Sequence, residues 1–159
     1  MSFSEAKDCF HASKWFDAMK IELTSMYKNE VWDLVDLPEG VKPIGCKWVF
    51  KTKRDSNGKV ERYKARLVAK DFTQQKAIDY KETFSPVSKK DSFKIIMALV
   101  AYFNLELHQM DVTIAAFLNG FLFEDVYMVQ PEGFETEGKE HLVCKLKKSI
   151  YGLKQASRQ

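Results

Sequence analysis

The chain has 159 residues, 45% of them hydrophobic, and a net charge of +3, enough apolar content for one domain with a real core or two small subdomains sharing one. No stretch reaches the ~18 uninterrupted apolar residues of a membrane span, and Met1 to Lys14 is polar and of mixed charge rather than built like a signal peptide. These features exclude a disordered tail and a membrane-spanning segment, and the expectation is a soluble, cytoplasmic protein.

Trp15, Phe16, Met19, Leu23, Met26 and Tyr27 recur at helical spacing between Ser13 and Asn29, which predicts an amphipathic helix with Ser13 as its N-cap. A short strand is predicted over Val31 to Val35, followed by a loop marked by Pro38, Gly40 and Pro43. Two alternating runs then flank Asp55-Ser56-Asn57-Gly58, the turn chemistry of a β-hairpin. In the first run Trp48 and Phe50 oppose Lys47, Lys51 and Lys53; in the second Tyr63, Ala65, Leu67 and Ala69 oppose Arg62, Lys64 and Arg66. From Lys42 to Lys70 there are ten Lys or Arg against only Asp55 and Glu61, a local charge of +8 that leaves the rest of the chain at −5. A basic block on an otherwise acidic chain points to a polyanion partner, because each phosphate neutralised releases counterions; the alternative is a solvated outer face.

After a turn-rich stretch over residues 79–87, Ser88 and Asp91 make a capping-box-like start to a second helix carrying Phe93, Ile96, Met97, Val100 and Ala101. Ile95, Ala98, Leu99 and Phe103 are apolar as well, which predicts burial on more than one side. Leu105 to Val112 reads as a buried strand, with Asp111 at its end and a short apolar helical turn, Ala115 to Leu118, after it. Val126 to Gln130 and Leu142 to Leu146 read as short strands joined by an acidic loop over residues 131–141. Helices and strands are mixed without regular βαβ alternation, so the expected fold class is α+β.

Cys9, Cys46 and Cys144 are odd in number and far apart, which argues against a disulfide framework or zinc site and for reduced core thiols. His11, His108 and His141 lie in unrelated contexts and suggest no shared site. Asp111 is the residue of greatest chemical interest, since a carboxylate ending a buried strand is costly unless it binds a cation or pairs. Spacing alone leaves a surface or capping aspartate open.

The segments Trp32 to Val35, Lys42 to Lys51, Arg62 to Lys70, Thr83 to Val87, Gln109 to Val112, Ala116 to Gly120, Val126 to Met128, Gln130 to Phe134 and Tyr151 to Ala156 together resemble the reverse transcriptase domain of copia-type retrotransposons, in the family's order and over nearly the whole chain. The resemblance implies a right-hand polymerase fold and RNA-directed DNA polymerase activity, a nucleotidyl transfer supported by two Mg²⁺ (or Mn²⁺) ions held by palm carboxylates. It divides the chain into an N-terminal helix and fingers (1–87), a palm portion (88–122) and a fingers hairpin returning to the palm (123–159). Asp111 matches the first catalytic carboxylate, with the Val112 carbonyl as a neighbouring metal ligand. Lys64 and Arg66 match the contacts to the incoming triphosphate, and Ala116, Gly152 and Gln155 would line the nucleotide site. Lys51, Lys53, Arg62, Lys70 and Lys154 would contact the nucleic-acid backbone. The implied partners are an RNA or DNA template with primer, deoxynucleoside triphosphates and the remainder of a Pol polyprotein, within virus-like particles for an intact element.

The chain departs from the family pattern at several places. Asp71 stands where the family has glycine, and Ser157 replaces a proline. One extra residue between Asp111 and Phe117 puts Ala116 where a sugar-checking aromatic ring is expected. The family's second signature, an aromatic residue, one position of choice and two aspartates, is absent, and there is no Asp-Asp pair anywhere in the 159 residues. The expectation is therefore a domain that stops before its metal cage is complete and is inactive alone, with a non-enzymatic nucleic-acid-binding remnant as the alternative.

Overall fold

A computed structural model describes residues 1–70, 90–108 and 121–153. In chain order the described elements are α1 (Phe3–Asp8), α2 (Ala12–Lys28), β1 (Trp32–Val35), β2 (Cys46–Arg54), β3 (Val60–Ala69), α3 (Lys90–Phe103), β4 (Phe121–Met128) and β5 (Val143–Lys148). The class is α+β, as the sequence led one to expect.

The first helix was not anticipated. Its start is a capping box: the Ser2 hydroxyl accepts from the Glu5 backbone N–H, and the Glu5 carboxylate accepts from the Ser2 N–H at 2.7 Å. Phe3 then packs edge-on to Phe16 of α2 and lies against Gly133, where a Cβ would fall 2.1 Å from the ring. The short helix is thereby pinned to the 131–141 loop.

Ser13 is not the N-cap of α2. The helix begins at Ala12 with His11 in the cap position and no side-chain cap bond, so Ser13 sits inside the first turn. The apolar stripe is otherwise as expected: Trp15, Ala18, Met19, Leu23 and Met26 are buried. Tyr27 falls off the stripe and stays 61% exposed, its ring against Trp32. The helix ends at Asn29, whose side-chain amide donates to the Ser25 carbonyl, and Glu30 takes a left-handed conformation (φ 50°) that turns the chain into β1.

β2 and β3 form the anticipated hairpin. Asp55 closes its turn, with Oδ1 accepting from the Asn57 and Lys59 N–H groups at 3.0 and 2.8 Å, and Gly58 supplies the left-handed residue (φ +80°). A separate antiparallel sheet has the order β1-β5-β4. The strand expected at Val126 begins earlier, at Phe121, with an irregular register before Val126. Ile44 stitches the two sheets together, donating to the Tyr127 carbonyl at 2.8 Å and accepting from Val129 at 3.0 Å. Between them lies one core in which α2 covers the apolar face of the hairpin. It contains Met19, Met26, Ile44, Leu67, Val126, Met128 and Ile150, none more than 2% exposed. Each such side chain contributes about 1.5–3 kcal/mol by leaving water.

α3 forms where the 3.6 periodicity places it, but the expected burial is not observed: none of its residues is buried, and Phe93, Ile95, Tyr102 and Phe103 are all at least 60% exposed. The buried strand expected next, Leu105 to Val112, is not seen over residues 105–108, where Leu105 and Leu107 are exposed. The rest of that expected strand, the Ser88 cap and the Ala115 to Leu118 turn lie outside the described residues. The physical reason is local: a helix with apolar residues on several faces is buried only where other elements cover it, and Leu105 to His108 do not.

Candidate nucleic-acid interface

The hairpin register decides where its charges go. Lys51 lies directly opposite Lys64 and Lys53 directly opposite Arg62, while Val49 faces Arg66. Because side chains alternate along a strand, Lys47, Lys51, Lys53, Arg62, Lys64 and Arg66 share one face, and Trp48, Phe50, Tyr63, Ala65 and Leu67 share the other. The apolar face is locked by Trp15 of α2, whose ring meets Phe50 and Tyr63 at 5.2 and 4.6 Å. Trp48 donates its indole N–H to the Glu132 carbonyl at 3.1 Å. Like charges directly opposite in a sheet are destabilising. Burial first, and then the nearby positive charges of Arg66, Lys53 and Arg62, lower the pKa of Lys64, opposed by Glu22.

The far edge of β3, away from β2, is closed by two groups distant in sequence. The Leu67 N–H draws down the pKa of the Glu22 carboxyl on α2 against the larger effect of burial, and the Ala69 N–H donates to the Tyr151 carbonyl at 2.7 Å. Gly152 follows with φ +86°, so close to the strand that a Cβ would sit 2.2 Å from the Ala69 carbonyl oxygen. Only glycine fits there. The Arg66 guanidinium lies over the Tyr151 ring, 4.9 Å from its centroid.

Of the residues singled out from the sequence, Lys51, Lys53, Arg62, Lys64 and Arg66 are thus brought onto one surface, and Gly152 is brought to its edge. Lys70 lies just past the end of β3, its backbone bonded to the Gly45 carbonyl and its side chain against Gly45. Asp111, Val112, Ala116, Lys154 and Gln155, like the departures at Asp71 and Ser157, lie outside the described residues. Among the described residues no group of three metal-ligating side chains occurs. Glu22 was missed, although Trp15, Met19, Glu22 and Met26 share the spacing of the buried stripe. An acid at a stripe position was the available signal.

Cys46 and Cys144 are packing thiols. Burial chiefly pushes Cys144 up to about 12, with a further rise from Cys46, and Cys46 up to about 11, far from a reactive thiolate. No helix among the described residues is long and apolar enough to cross a membrane.

A family model described as reverse transcriptase (RNA-dependent DNA polymerase) matches residues 29–159. The chain belongs to the reverse transcriptase family. It is 56% identical over 142 residues to the retrovirus-related Pol polyprotein from transposon TNT 1-94 of Nicotiana tabacum, covering 89% of this chain and 11% of that protein. The corresponding polyproteins from transposons RE1 and RE2 of Arabidopsis thaliana are 45% and 44% identical over 159 residues, each match covering 98% of this chain and 11% of the relative. The copia-type resemblance read from the motifs therefore holds: this is a reverse transcriptase domain related to retrotransposon Pol polyproteins. The chain spans about a tenth of the length of these relatives. No solved structure matches it.

Proposed function

We propose that this domain takes part in RNA-directed DNA synthesis, with β2 and β3 as the fingers surface that grips phosphates. In this role Lys64 and Arg66 contact the incoming triphosphate, while Lys51, Lys53, Arg62 and Lys70 track the template or primer backbone, joined by Lys154. Tyr151 and Gly152, with Gln155 and Ala116, line the nucleotide site. Asp111 is the first catalytic carboxylate. Mg²⁺ is the cofactor the resemblance implies, with Asp111 and the Val112 carbonyl as ligands; it would supply activation of the primer 3′-hydroxyl and neutralise the leaving pyrophosphate. The described residues themselves bind, orient and neutralise phosphate oxygens, for which a guanidinium fork and paired ammonium groups are suited. The partners are a primed RNA or DNA template, deoxynucleoside triphosphates and the rest of a Pol polyprotein.

The observation that carries this proposal is the cross-strand pairing of Lys51 with Lys64 and Lys53 with Arg62. A solvated face gains nothing from stacking like charges, whereas a polyanion turns that repulsion into binding. Fluorescence anisotropy of a primed template titrated with the 159-residue chain at several salt concentrations tests it. Replacing Arg62, Lys64 and Arg66 by alanine is expected to flatten the salt slope by about 2–3, at about 0.9 per lost phosphate contact in duplex. Unchanged affinity at low salt would refute the proposal.

A further inference from the structure

The guanidinium of Arg66 is held by a ring rather than by an acid. It lies over Tyr151, 4.9 Å from the ring centroid, and no ion pair of Arg66 occurs among the described residues. Its Nε is buried without a hydrogen-bond partner. A buried donor left unpaired costs free energy, so no hydrogen bond at that nitrogen draws the group there; the attraction on the page is that of a cation for an aromatic face. The manner of holding bears on function. A carboxylate would occupy the donors of the guanidinium fork, whereas a ring face offers no lone pair and leaves them for an incoming anion.

Tyr151 is in turn fixed from outside its own side chain. Ile150 and Leu153, on either side of the Tyr151-Gly152 pair, are buried in the core, and the Leu153 N–H donates to the Ile150 carbonyl at 3.3 Å to close the turn. The Tyr151 carbonyl accepts from the Ala69 N–H at 2.7 Å, and Gly152, at φ +86°, passes too close to Ala69 for any Cβ. These anchors lie in the main chain and in flanking side chains, so exchanging the ring leaves them in place. The turn follows directly on β5. It therefore carries the ring from one sheet to the strand edge of the other, where Arg66 meets it.

We propose that Tyr151 is a positioning residue for Arg66: its ring keeps the guanidinium ordered at the edge of the cationic face, with the donors of the fork uncommitted, ready for the phosphate oxygens of a triphosphate. This rests on the assignment of Arg66 to the triphosphate. A long side chain ordered in advance spares the complex that entropic cost, so the ring adds affinity without adding charge. Taking the ring away weakens anion binding while every charge on the face stays, and the effect vanishes when Arg66 is itself absent. A residue that merely filled space would weaken binding equally with and without Arg66.

Inorganic tripolyphosphate, titrated by calorimetry into the 159-residue chain at several salt concentrations, provides the test. Tyr151→Leu is expected to bind about two- to tenfold more weakly than wild type, the cost of ordering one long side chain, with an unchanged dependence on salt. Arg66→Gln is expected to weaken binding and to flatten that dependence, because a charge is lost. Tyr151→Phe keeps a ring face and is expected to recover most of what Tyr151→Leu loses. In the Arg66→Gln background, Tyr151→Leu is expected to cost nothing further. The proposal is overturned if the loss in Tyr151→Leu persists undiminished without Arg66, or if Tyr151→Phe is as weak as Tyr151→Leu. Loss of far-ultraviolet ellipticity in Tyr151→Leu would overturn it too, by making the ring a folding element. If wild type fails to bind tripolyphosphate, or Arg66→Gln alone leaves its affinity unchanged, the assignment of the face itself falls and takes this inference with it. If Arg66→Gln weakens binding and Tyr151→Leu does not, only the role of Tyr151 falls.

Discussion

Lys51→Glu should make the domain more stable and a poorer binder at the same time. Lys51 faces Lys64 directly across the hairpin, with Lys53 and Arg62 as the next like-charged pair along. A cross-strand charge pair is worth about 0.2–1 kcal/mol in either direction, and the exposure of Lys51 puts the value at the lower end. Exchanging repulsion for attraction should therefore stabilise the fold by about 0.5–1 kcal/mol. For a chain of this size that raises Tm by about 1–4 °C, measurable by far-ultraviolet circular dichroism at low salt and diminished at high salt. In the same preparation, the salt slope for primed-template binding should fall by about 1 or slightly more, since one phosphate contact is lost and an acid is added. A lower Tm together with an unchanged salt slope would refute both the register and the assigned role of the face.

Gly152→Ala should destabilise the domain by about 2–4 kcal/mol, because the residue must keep a left-handed backbone while its Cβ meets a carbonyl oxygen; chemical denaturation within about 0.5 kcal/mol of wild type would show that the turn does not dock on β3. Glu22→Gln should be more stable than wild type at neutral pH. The folded-state pKa of Glu22 is raised above its ordinary 4.5, so ionisation costs stability above the folded pKa, and that cost is relieved as pH falls towards the unfolded value. Urea midpoints of the two proteins should therefore converge as pH falls towards the carboxylate range, and a gap that widens with acidification would reverse the assigned sign.

How much was legible beforehand depended on how local each interaction is. The hairpin could be read because its alternation and its Asp55 to Gly58 turn both lie within the paired segment, and the turn fixes the register that aligns Lys51 with Lys64. The pairing of β1 with β5 joins Trp32 to Leu146, and no signal within either short strand names the other. The stripe of α2 was legible, but its N-terminus was not, since His11 caps without a side-chain bond. α1 was overlooked although Ser2 and Glu5 stand at capping-box spacing, because a six-residue helix carries too little periodicity to be seen. Burial of α3 was inferred from composition alone. Composition tells which faces could be covered, not whether another element reaches them. Asp111 drew attention as a carboxylate at the end of an expected buried strand and then through family resemblance, while the acid that packs towards the cationic strand, Glu22, was hidden inside a helix that otherwise looked like ordinary core.

Several costly features of the described residues meet at one strand. β3 carries the like-charged partners of Lys51 and Lys53, the buried carboxyl of Glu22 feels its Lys64 and Arg66 charges, and its end is approached by a glycine in a left-handed conformation. Two of these costs would be relieved by an ordinary substitution: an acid at Lys51, a glutamine at Glu22. Their clustering is not explained by the packing needs of the core, which the opposite face of the strand meets with Ala65, Leu67 and Ala69. Stability given up at the like-charged pairs, on the face that the core does not use, is the pattern expected where binding rather than folding sets the residues. The apolar face and the cationic face of β3 therefore answer to different demands. Substitutions of equal chemical size on the two faces should separate accordingly: Leu67→Ala in stability with the salt slope kept, and Lys51→Glu in salt slope with stability kept or improved.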